Sequence, residues 1–390
     1  MLAKCQTYKV KKLYTGEEIL ENQEVSIEDG IIKSVKTISH VDNDDIMIPG
    51  FIDIHNHGGY GIDYLEDDKE KYERLQVLQA SEGITSLVAT LGLASKEKTF
   101  AGIDKLRSYI ENQNDKGAII LGIHLEGPFV SKKKGGAMDE SLAIDPDLDL
   151  MGEFIEKSAD NISIVTLAPE LDGSMDLIEY LLDKNIIPAA GHTDAKEADM
   201  VEAYDHGLRQ VTHLFNAMRG FHHRDIGILG ETLTNDYIYA EMVGCDGLSI
   251  NPKAWKLAFA MKGPEKMVIA TDALILKGLP NGEYEWMGKK IRFEDGFAYT
   301  NYHGENRLPG KPMTFPGSIK NIMAFTGATM EDIVTMSAAN PAKRLGLDHK
   351  KGKIKVGFDA DLNIINKDFD ILDTIIAGKS NLEDYEKYKF

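Results

Sequence analysis

The sequence has little of several features that define particular classes of protein. Its 390 residues include two cysteines, Cys5 and Cys245, and their wide separation excludes a disulfide framework and a cysteine-based metal site. Every apolar run is shorter than the roughly 20 residues that span a bilayer, and residues 1–8 lack the apolar segment of a signal peptide. We therefore expect a protein of the reducing cytoplasm.

Positive charge is also scarce. The chain has 44 Lys and Arg against 63 Asp and Glu, which gives a formal net charge of -19 and a pI near 5.0. Such a surface repels phosphate backbones and anionic lipids. We therefore expect neither nucleic acid nor a membrane as a partner.

A Gly-x-Gly-x-x-Gly turn after an early strand is missing, which disfavours a doubly wound dinucleotide-binding sheet, the competing topology. Instead, short apolar runs alternate with longer charged segments of helical character, the pattern of parallel β/α units. We count eight such runs, at residues 51–55, 84–90, 119–124, 162–167, 186–190, 210–214, 238–243 and 267–271. Eight units over this length predict an α/β protein with a (β/α)8 TIM barrel.

The two ends of the chain have a different texture. Short β-like runs occupy residues 9–48, divided by the turn Asp29-Gly30, and similar runs return at residues 352–376. We predict that both ends pair into one β domain, residues 1–48 plus 345–390, beside a barrel of residues 49–344. Between them we expect a hairpin at 283–300 and helices near 318–326 and 330–339.

The first barrel run ends in His55-Asn56-His57. Alternate side chains of an extended strand point the same way, so the two imidazoles can bind one ion. A pair of core or surface histidines is the alternative.

Other residues able to bind metal follow later strands. Glu126 follows the third run, His192 the fifth, His213 closes the sixth and Asp272 ends the eighth. Because parallel barrel strands end at one mouth, these side chains are predicted to converge there.

Several histidines with a carboxylate and an open position describe a catalytic Zn²⁺ or Fe²⁺ site. His192 and His213 could each be a core histidine instead. Glu126 and Asp272 are harder to explain in that way, because an unpaired buried carboxylate is costly. Glycines beside the ligands, at 58, 59, 127 and 191, leave room for a substrate.

The motifs that contain these residues resemble those of the N-acetylglucosamine-6-phosphate deacetylases, a family of the amidohydrolase superfamily. The matching segments are Pro-Gly-Phe-Ile-Asp-Ile-His-Asn-His-Gly-Gly from 49, His-Leu-Glu-Gly-Pro-Phe from 124, Gly-His-Thr-Asp-Ala from 191, Thr-His-Leu-Phe-Asn-Ala-Met from 212 and Thr-Asp-Ala from 271. The resemblance covers nearly the whole chain. It implies a (β/α)8 barrel with a β-sandwich domain built from both chain ends, in a homodimer.

The resemblance also implies roles for the residues and a reaction. Glu126, His192 and His213 would hold the main divalent metal, Zn or Fe. His55 and His57 would hold a second ion with Glu126 bridging, so one or two ions per subunit are expected. Asp272 would be the general base in the hydrolysis of N-acetylglucosamine-6-phosphate to glucosamine-6-phosphate and acetate.

For substrate binding, the resemblance points to Asn216 and Ala217 at the sugar or its phosphate. It also points to Arg224 as a phosphate ligand donated across the dimer interface; a guanidinium suits phosphate, and a solvated surface arginine is the alternative. The chain departs from the family twice: Ser249, a candidate substrate contact, stands where a substrate-contacting histidine is usual, and Met138 takes the place of another histidine. A different epimer or an unphosphorylated sugar therefore stays open.

Two other functions compete with this one. Hydrolases of cyclic amides or N-acylated amino acids on this scaffold commonly use a lysine after strand four, and residues 165–170 contain none. A non-catalytic sugar-binding barrel would be expected to lack some ligands, whereas the full set is present here.

Overall fold

The computed structural model describes residues 6–286, 289–299 and 311–388. Its strands, in chain order, are β1 (Gln6–Tyr14), β2 (Ile19–Glu28), β3 (Ile31–Thr37), β4 (Ile46–Pro49), β5 (Phe51–Asn56), β6 (Gly58–Gly59), β7 (Ile62–Asp63), β8 (Ile84–Leu91), β9 (Ile119–Glu126), β10 (Ile162–Leu167), β11 (Ile187–Ala190), β12 (Gln210–Val211), β13 (Tyr239–Met242), β14 (Met267–Ile269), β15 (Gly282–Trp286), β16 (Lys289–Glu294), β17 (Phe297–Tyr299), β18 (Leu362–Ile365), β19 (Ile371–Ile376) and β20 (Lys379–Ser380).

The α-helices are α1 (Tyr72–Ala80), α2 (Lys96–Ile110), α3 (Leu148–Ser158), α4 (Ser174–Asp183), α5 (Glu197–Asp205), α6 (Gly227–Thr234), α7 (Pro252–Lys262), α8 (Phe315–Thr326), α9 (Met330–Val334), α10 (Asn340–Arg344) and α11 (Leu382–Tyr388). A π-helical turn, Thr335–Ala339, joins α9 to α10.

Eight parallel strands form the barrel predicted from the sequence. Their order is β5, β8, β9, β10, β11, β12, β13 and β14, and each strand pairs with the next one along this series. Helices lie between successive strands from β8 onward. The chain therefore has the expected (β/α)8 TIM barrel.

The barrel strands are apolar because both faces are covered. All eight residues of β8 are buried, and one face packs against the helices while the other fills the barrel. The interior is closed by a cluster that includes Ile52, Val88, Ile164, Ala189 and Val268. Since side chains fill the interior, a substrate has access only at an end of the barrel.

The predicted strand boundaries differ slightly from the observed ones. Residues 162–167 match β10, but β12 ends at Val211 and β14 at Ile269. His213 and Asp272 therefore lie in the loops beyond their strands, whereas Glu126 is the last residue of β9. His213 and Asp272 adopt left-handed backbone conformations, which are incompatible with an extended strand at these two residues.

Both chain ends contribute to the small β-sandwich domain. Its strands pair in the order β20-β19-β18-β4-β1-β2-β3. β18 is antiparallel to β4, and β4 runs parallel to β1. The expected boundary after residue 48 falls within β4, and the division at 1–48 plus 345–390 stays a prediction.

The segment after the barrel strands holds more than the expected hairpin. β15, β16 and β17 form a three-stranded antiparallel sheet, with Asp295-Gly296 as the turn between β16 and β17. Thr300 lies outside the described residues. The predicted helices are present as α8 and as α9 with its π-helical extension. Within the described ranges, every helix is too short or too polar to cross a membrane.

The first and last barrel strands meet at a seam. Here the backbone N–H of Asp272 donates to the carbonyl of His55 at 2.8 Å, and the N–H of His57 donates to the carbonyl of Ala273 at 3.0 Å. The seam therefore brings the two ends of the barrel sequence together at its carboxyl mouth.

Candidate metal centre

The first cluster of metal-capable groups is formed by Glu126, His192 and His213, from three different strand ends. Glu126 Oε1 lies 3.1 Å from His192 Nε2 and 3.0 Å from His213 Nε2, and the two nitrogens are 3.0 Å apart. All three residues are buried. One carboxylate and two imidazoles thus point at a single position, as the sequence predicts.

The second cluster is formed by His55, His57 and Asp272 across the barrel seam. The two Nε2 atoms are 3.2 Å apart. Asp272 Oδ1 lies 3.4 Å from His55 Nε2 and 3.3 Å from His57 Nε2.

Glu126 lies between the clusters. Its Oε2 is 3.2 Å from His57 Nε2, while its Oε1 is 3.6 Å from His55 Nε2 and within 3.1 Å of both histidines of the first cluster. A carboxylate with one oxygen toward each group has the arrangement required of a bridging ligand. The structure therefore brings together all six residues for which the sequence predicted metal binding or proton transfer.

The hydrogen bonds of the imidazoles fit a divalent cation. The Nδ1 of His192 lies 2.9 Å from the carbonyl of Lys134, and the Nδ1 of His55 lies 2.7 Å from Glu241 Oε1. Because each partner is an acceptor, Nδ1 donates to it in both residues, and Nε2 would present its lone pair to a bound cation. Metal-binding histidines are commonly oriented in this way.

The charges also fit a cation. Burial opposes the charge of Glu126, but His55 and hydrogen bonds from His192 and His213 outweigh it and lower the pKa of this carboxyl well below its usual range. Burial likewise lowers the pKa of His57, but hydrogen bonds to Asp272 and Glu126 prevail and raise that pKa to about 9. The site thus favours positive charge at its centre, which a divalent cation would supply.

Three of these residues have unusual backbone conformations. His192, His213 and Asp272 have φ values of 48°, 35° and 50°, in the left-handed region that residues with a Cβ rarely adopt. Each such conformation costs about 1–3 kcal/mol and must be held by its surroundings. Strain of this kind concentrates at functional sites. Here the left-handed backbone directs each of the three side chains toward the mouth of the barrel.

Two buried residues near the clusters, Glu241 and His124, are not among the site residues predicted from the sequence. Glu241 lies in the run 238–243, and His124, two residues before Glu126, places its ring 4.7 Å from that of His55. Burial and the positive His55 lower the pKa of His124 well below 6.5. A charged residue within an apolar strand was the available signal for Glu241.

The predicted substrate residues lie around the same mouth, with different exposures. Asn216 and Ala217 follow His213 and are half-buried, and the N–H of Asn216 donates to the His213 carbonyl at 2.9 Å. Ser249 is half-buried, with its N–H bonded to Asp246 Oδ1 at 2.9 Å. Arg224 is exposed, in the loop between β12 and α6, and the six clustered residues do not include it.

Comparison with known proteins identifies relatives over nearly the whole chain. Residues 46–380 match the model of the Amidohydrolase family. The N-acetylglucosamine-6-phosphate deacetylase of Bacillus subtilis is 35% identical over 94% of both chains. The N-acetylgalactosamine-6-phosphate deacetylase of Escherichia coli O157:H7 is 28% identical over 95% of this chain and 98% of the relative.

Solved structures of deacetylases superpose on nearly the whole chain. The Mycobacterium smegmatis N-acetyl-D-glucosamine-6-phosphate deacetylase in complex with N-acetyl-D-glucosamine-6-phosphate superposes with a TM-score of 0.89 at 27% identity, covering 97% of this chain and 99% of the other. The Thermotoga maritima N-acetylglucosamine-6-phosphate deacetylase gives a TM-score of 0.87 at 29% identity, over 96% and 99% of the two chains.

Proposed function

This chain belongs to the amidohydrolase family of metal-dependent amide hydrolases, and we propose that it converts N-acetylglucosamine-6-phosphate and water to glucosamine-6-phosphate and acetate. The observation that carries the proposal is the pair of facing clusters that share Glu126. The relatives named above, which hydrolyse an acetylated amino sugar phosphate, support this substrate class.

We assign the metal ligands by cluster. Glu126, His192 and His213 would hold the main ion, Zn²⁺ or Fe²⁺, and His55 and His57 together with the shared Glu126 would hold a second ion. A bound divalent cation would acidify a water molecule and polarise the acetamide carbonyl.

Asp272 is the general base in this proposal. Its Oδ1 accepts a proton from the attacking water as the new C–O bond forms at the acetamide carbon. The same carboxyl then delivers that proton to the sugar nitrogen as the C–N bond breaks. The immediate products are acetic acid and the free amine, and the acid proton then passes to the amine to give acetate and the ammonium form of the sugar. Burial raises the pKa of Asp272, but His55 and the hydrogen bond to His57 prevail and lower it, so the carboxyl begins the reaction ionised.

Substrate contacts follow from the residues around the mouth. Asn216, Ala217 and Ser249 contact the sugar or its phosphate, and Arg224 binds the phosphate of the substrate in the partner subunit of a homodimer. An arginine that serves a neighbouring subunit is expected to be exposed in a single chain, as Arg224 is. We place the dimer in the cytoplasm, with no nucleic-acid partner.

A second candidate substrate is N-acetylgalactosamine-6-phosphate. The Escherichia coli relative named for it covers nearly the whole chain, and Ser249 and Met138 depart from the glucosamine-type pattern at positions expected near the sugar. An epimer that differs at one hydroxyl would be distinguished by few contacts.

The test is acetate release from a panel of N-acetylated sugars of gluco, galacto and manno configuration, each with and without the 6-phosphate. We expect the highest kcat/KM for N-acetylglucosamine-6-phosphate. Faster release from the galacto epimer would favour the second candidate, and faster release from an unphosphorylated sugar would contradict the phosphate assignment.

A further inference from the structure

Glu241 is a buried carboxylate in contact with both metal clusters. It lies in β13 and has no exposed surface, and Tyr239 two residues earlier packs into the barrel interior. A single oxygen, Oε1, accepts two hydrogen bonds: one from His55 Nδ1 at 2.7 Å and one from the backbone N–H of His213 at 3.1 Å. One atom thus links a residue of each cluster.

The burial of Glu241 is incompletely compensated. Its Oε2 is also buried, and it has no hydrogen-bond partner among the described residues. Leaving a charged oxygen unsatisfied in the interior costs free energy that an apolar residue would avoid, and the next two residues, Met242 and Val243, are buried and apolar. The carboxylate therefore lowers the stability of the fold, and this cost points to a role of its contacts other than stability.

The hydrogen bond to His55 sets the orientation of that ring. With its proton on Nδ1 and directed at Glu241, the imidazole presents Nε2 toward His57 and Asp272. Without this acceptor, the ring could rotate about its side-chain bonds or place its proton on Nε2. Either change would remove a lone pair from the second cluster.

The hydrogen bond to His213 acts on the backbone. His213 has a φ of 35°, and its buried N–H requires an acceptor. Glu241 supplies that acceptor, and the turn it stabilises directs the His213 ring at Glu126, where Nε2 lies 3.0 Å from Oε1.

We infer that Glu241 is a positioning residue that holds one ligand of each metal cluster in place with a single oxygen. This inference rests on the proposed function only in taking the two clusters as metal sites. It predicts that loss of the acceptor weakens metal binding at both clusters, and that an amide oxygen in its place largely restores binding.

The test is titration of metal-free protein with Co²⁺, followed by calorimetry and by visible absorption, which reports the ligand geometry. Glu241→Leu removes the acceptor at similar size, and Glu241→Gln keeps an oxygen. Loss of a group that orients metal ligands typically costs about 10- to 100-fold in affinity, which we expect for Glu241→Leu together with a changed absorption band. The Co²⁺ affinity of Glu241→Gln should fall by less than about tenfold relative to wild type.

Leu181→Ala provides the control for a general loss of stability. Leu181 is fully buried in α4, on the outer layer of the barrel. This variant should unfold at a lower temperature and bind Co²⁺ as wild type does. Circular dichroism confirms that each variant is folded before titration.

Two results would overturn the inference: Co²⁺ binding by Glu241→Leu within twofold of wild type, or equal losses in Glu241→Gln and Glu241→Leu. Neither readout involves a sugar. A wild-type protein that binds Co²⁺ but releases no acetate would contradict the proposed function and leave the role of Glu241 standing.

Discussion

Asp53 accepts two hydrogen bonds from Thr271, one from the backbone N–H to Oδ1 at 3.0 Å and one from the hydroxyl to Oδ2 at 2.6 Å. Its Oδ2 also accepts from Asn56 Nδ2 at 2.8 Å. Asn56 lies between the two histidines of the second cluster, and Thr271 immediately precedes Asp272. One buried carboxylate therefore aligns both sides of the barrel seam.

Asp53→Asn should destabilise the protein and slow the reaction. An amide presents an NH₂ group where the carboxylate accepts a hydrogen bond, so a buried donor loses its partner, at about 1–3 kcal/mol of unfolding free energy. Urea unfolding and kcat measure the two effects. The exposed Asp348→Asn is the control, and unchanged values in Asp53→Asn would contradict the alignment of the seam by Asp53.

Asp272→Asn should keep the metal and lose most turnover. Asparagine retains an oxygen at the second cluster but accepts no proton, and loss of a general base typically costs about 10²- to 10⁴-fold in rate. Acetate release and metal content are measured on the same preparation. Substantial remaining activity would exclude Asp272 as the base.

His57→Gln should separate the two ions. If both clusters bind metal, the wild type holds two equivalents and His57→Gln holds one, because Glu126, His192 and His213 are intact. His192→Gln is the comparison and should lose the main ion. Metal analysis after dialysis decides, and equal content in His57→Gln and wild type would contradict a second ion held by His57.

Arg224→Ala should act on phosphorylated substrates alone. A charge-assisted hydrogen bond contributes about 1.5–3 kcal/mol, which corresponds to a rise in KM of roughly 10- to 100-fold. The KM for the unphosphorylated sugar should not change. Lys184→Ala, an exposed cation just after α4, is the control. An equal effect of Arg224→Ala on both sugars would contradict the phosphate contact.

Lys262 should make stability depend on pH in alkaline solution. Burial lowers the pKa of this amine from 10.5 to about 8, and its Nζ donates to the carbonyl of Asn235 at 2.5 Å. Between those pH values the unfolded chain binds a proton that the folded chain does not, so the free energy of unfolding rises with pH across this window.

Lys262→Met removes this contribution of the amine to the pH dependence of stability. Compared with the variant, the wild type should gain stability from pH 8 to pH 10.5, as measured by urea unfolding at several pH values. Parallel pH dependences of the two proteins would contradict the lowered pKa.

The sequence was sufficient to predict the barrel and the six clustered residues. Strands covered on both faces are apolar along their whole length, and a chemical group placed at their carboxyl ends stands out against that background. Glu126 and His192 were identifiable for this reason, even though 66 positions separate them in the chain.

The supporting groups could not be predicted in the same way. The role of Glu241 depends on which atoms face it across the barrel, and the role of Asp53 depends on closure between the first and last strands. The observed strands also end earlier than predicted, and the left-handed backbone of His213 and Asp272, which apolar patterning does not record, keeps both residues out of the strands. Whether the Arg224 side chain is exposed depends on which other segments cover it in the fold, which the local sequence does not specify.

The seam between β5 and β14 has a consequence for how the protein is made. A ribosome delivers His55 and His57 more than 200 residues before Asp272, and β4 pairs with β18 only after residue 362 has emerged. The complete set of clustered groups, and with it any capacity for hydrolysis, therefore assembles late in synthesis. A nascent chain that ends before Asp272 would contain His55 and His57 without the carboxylate that completes their cluster.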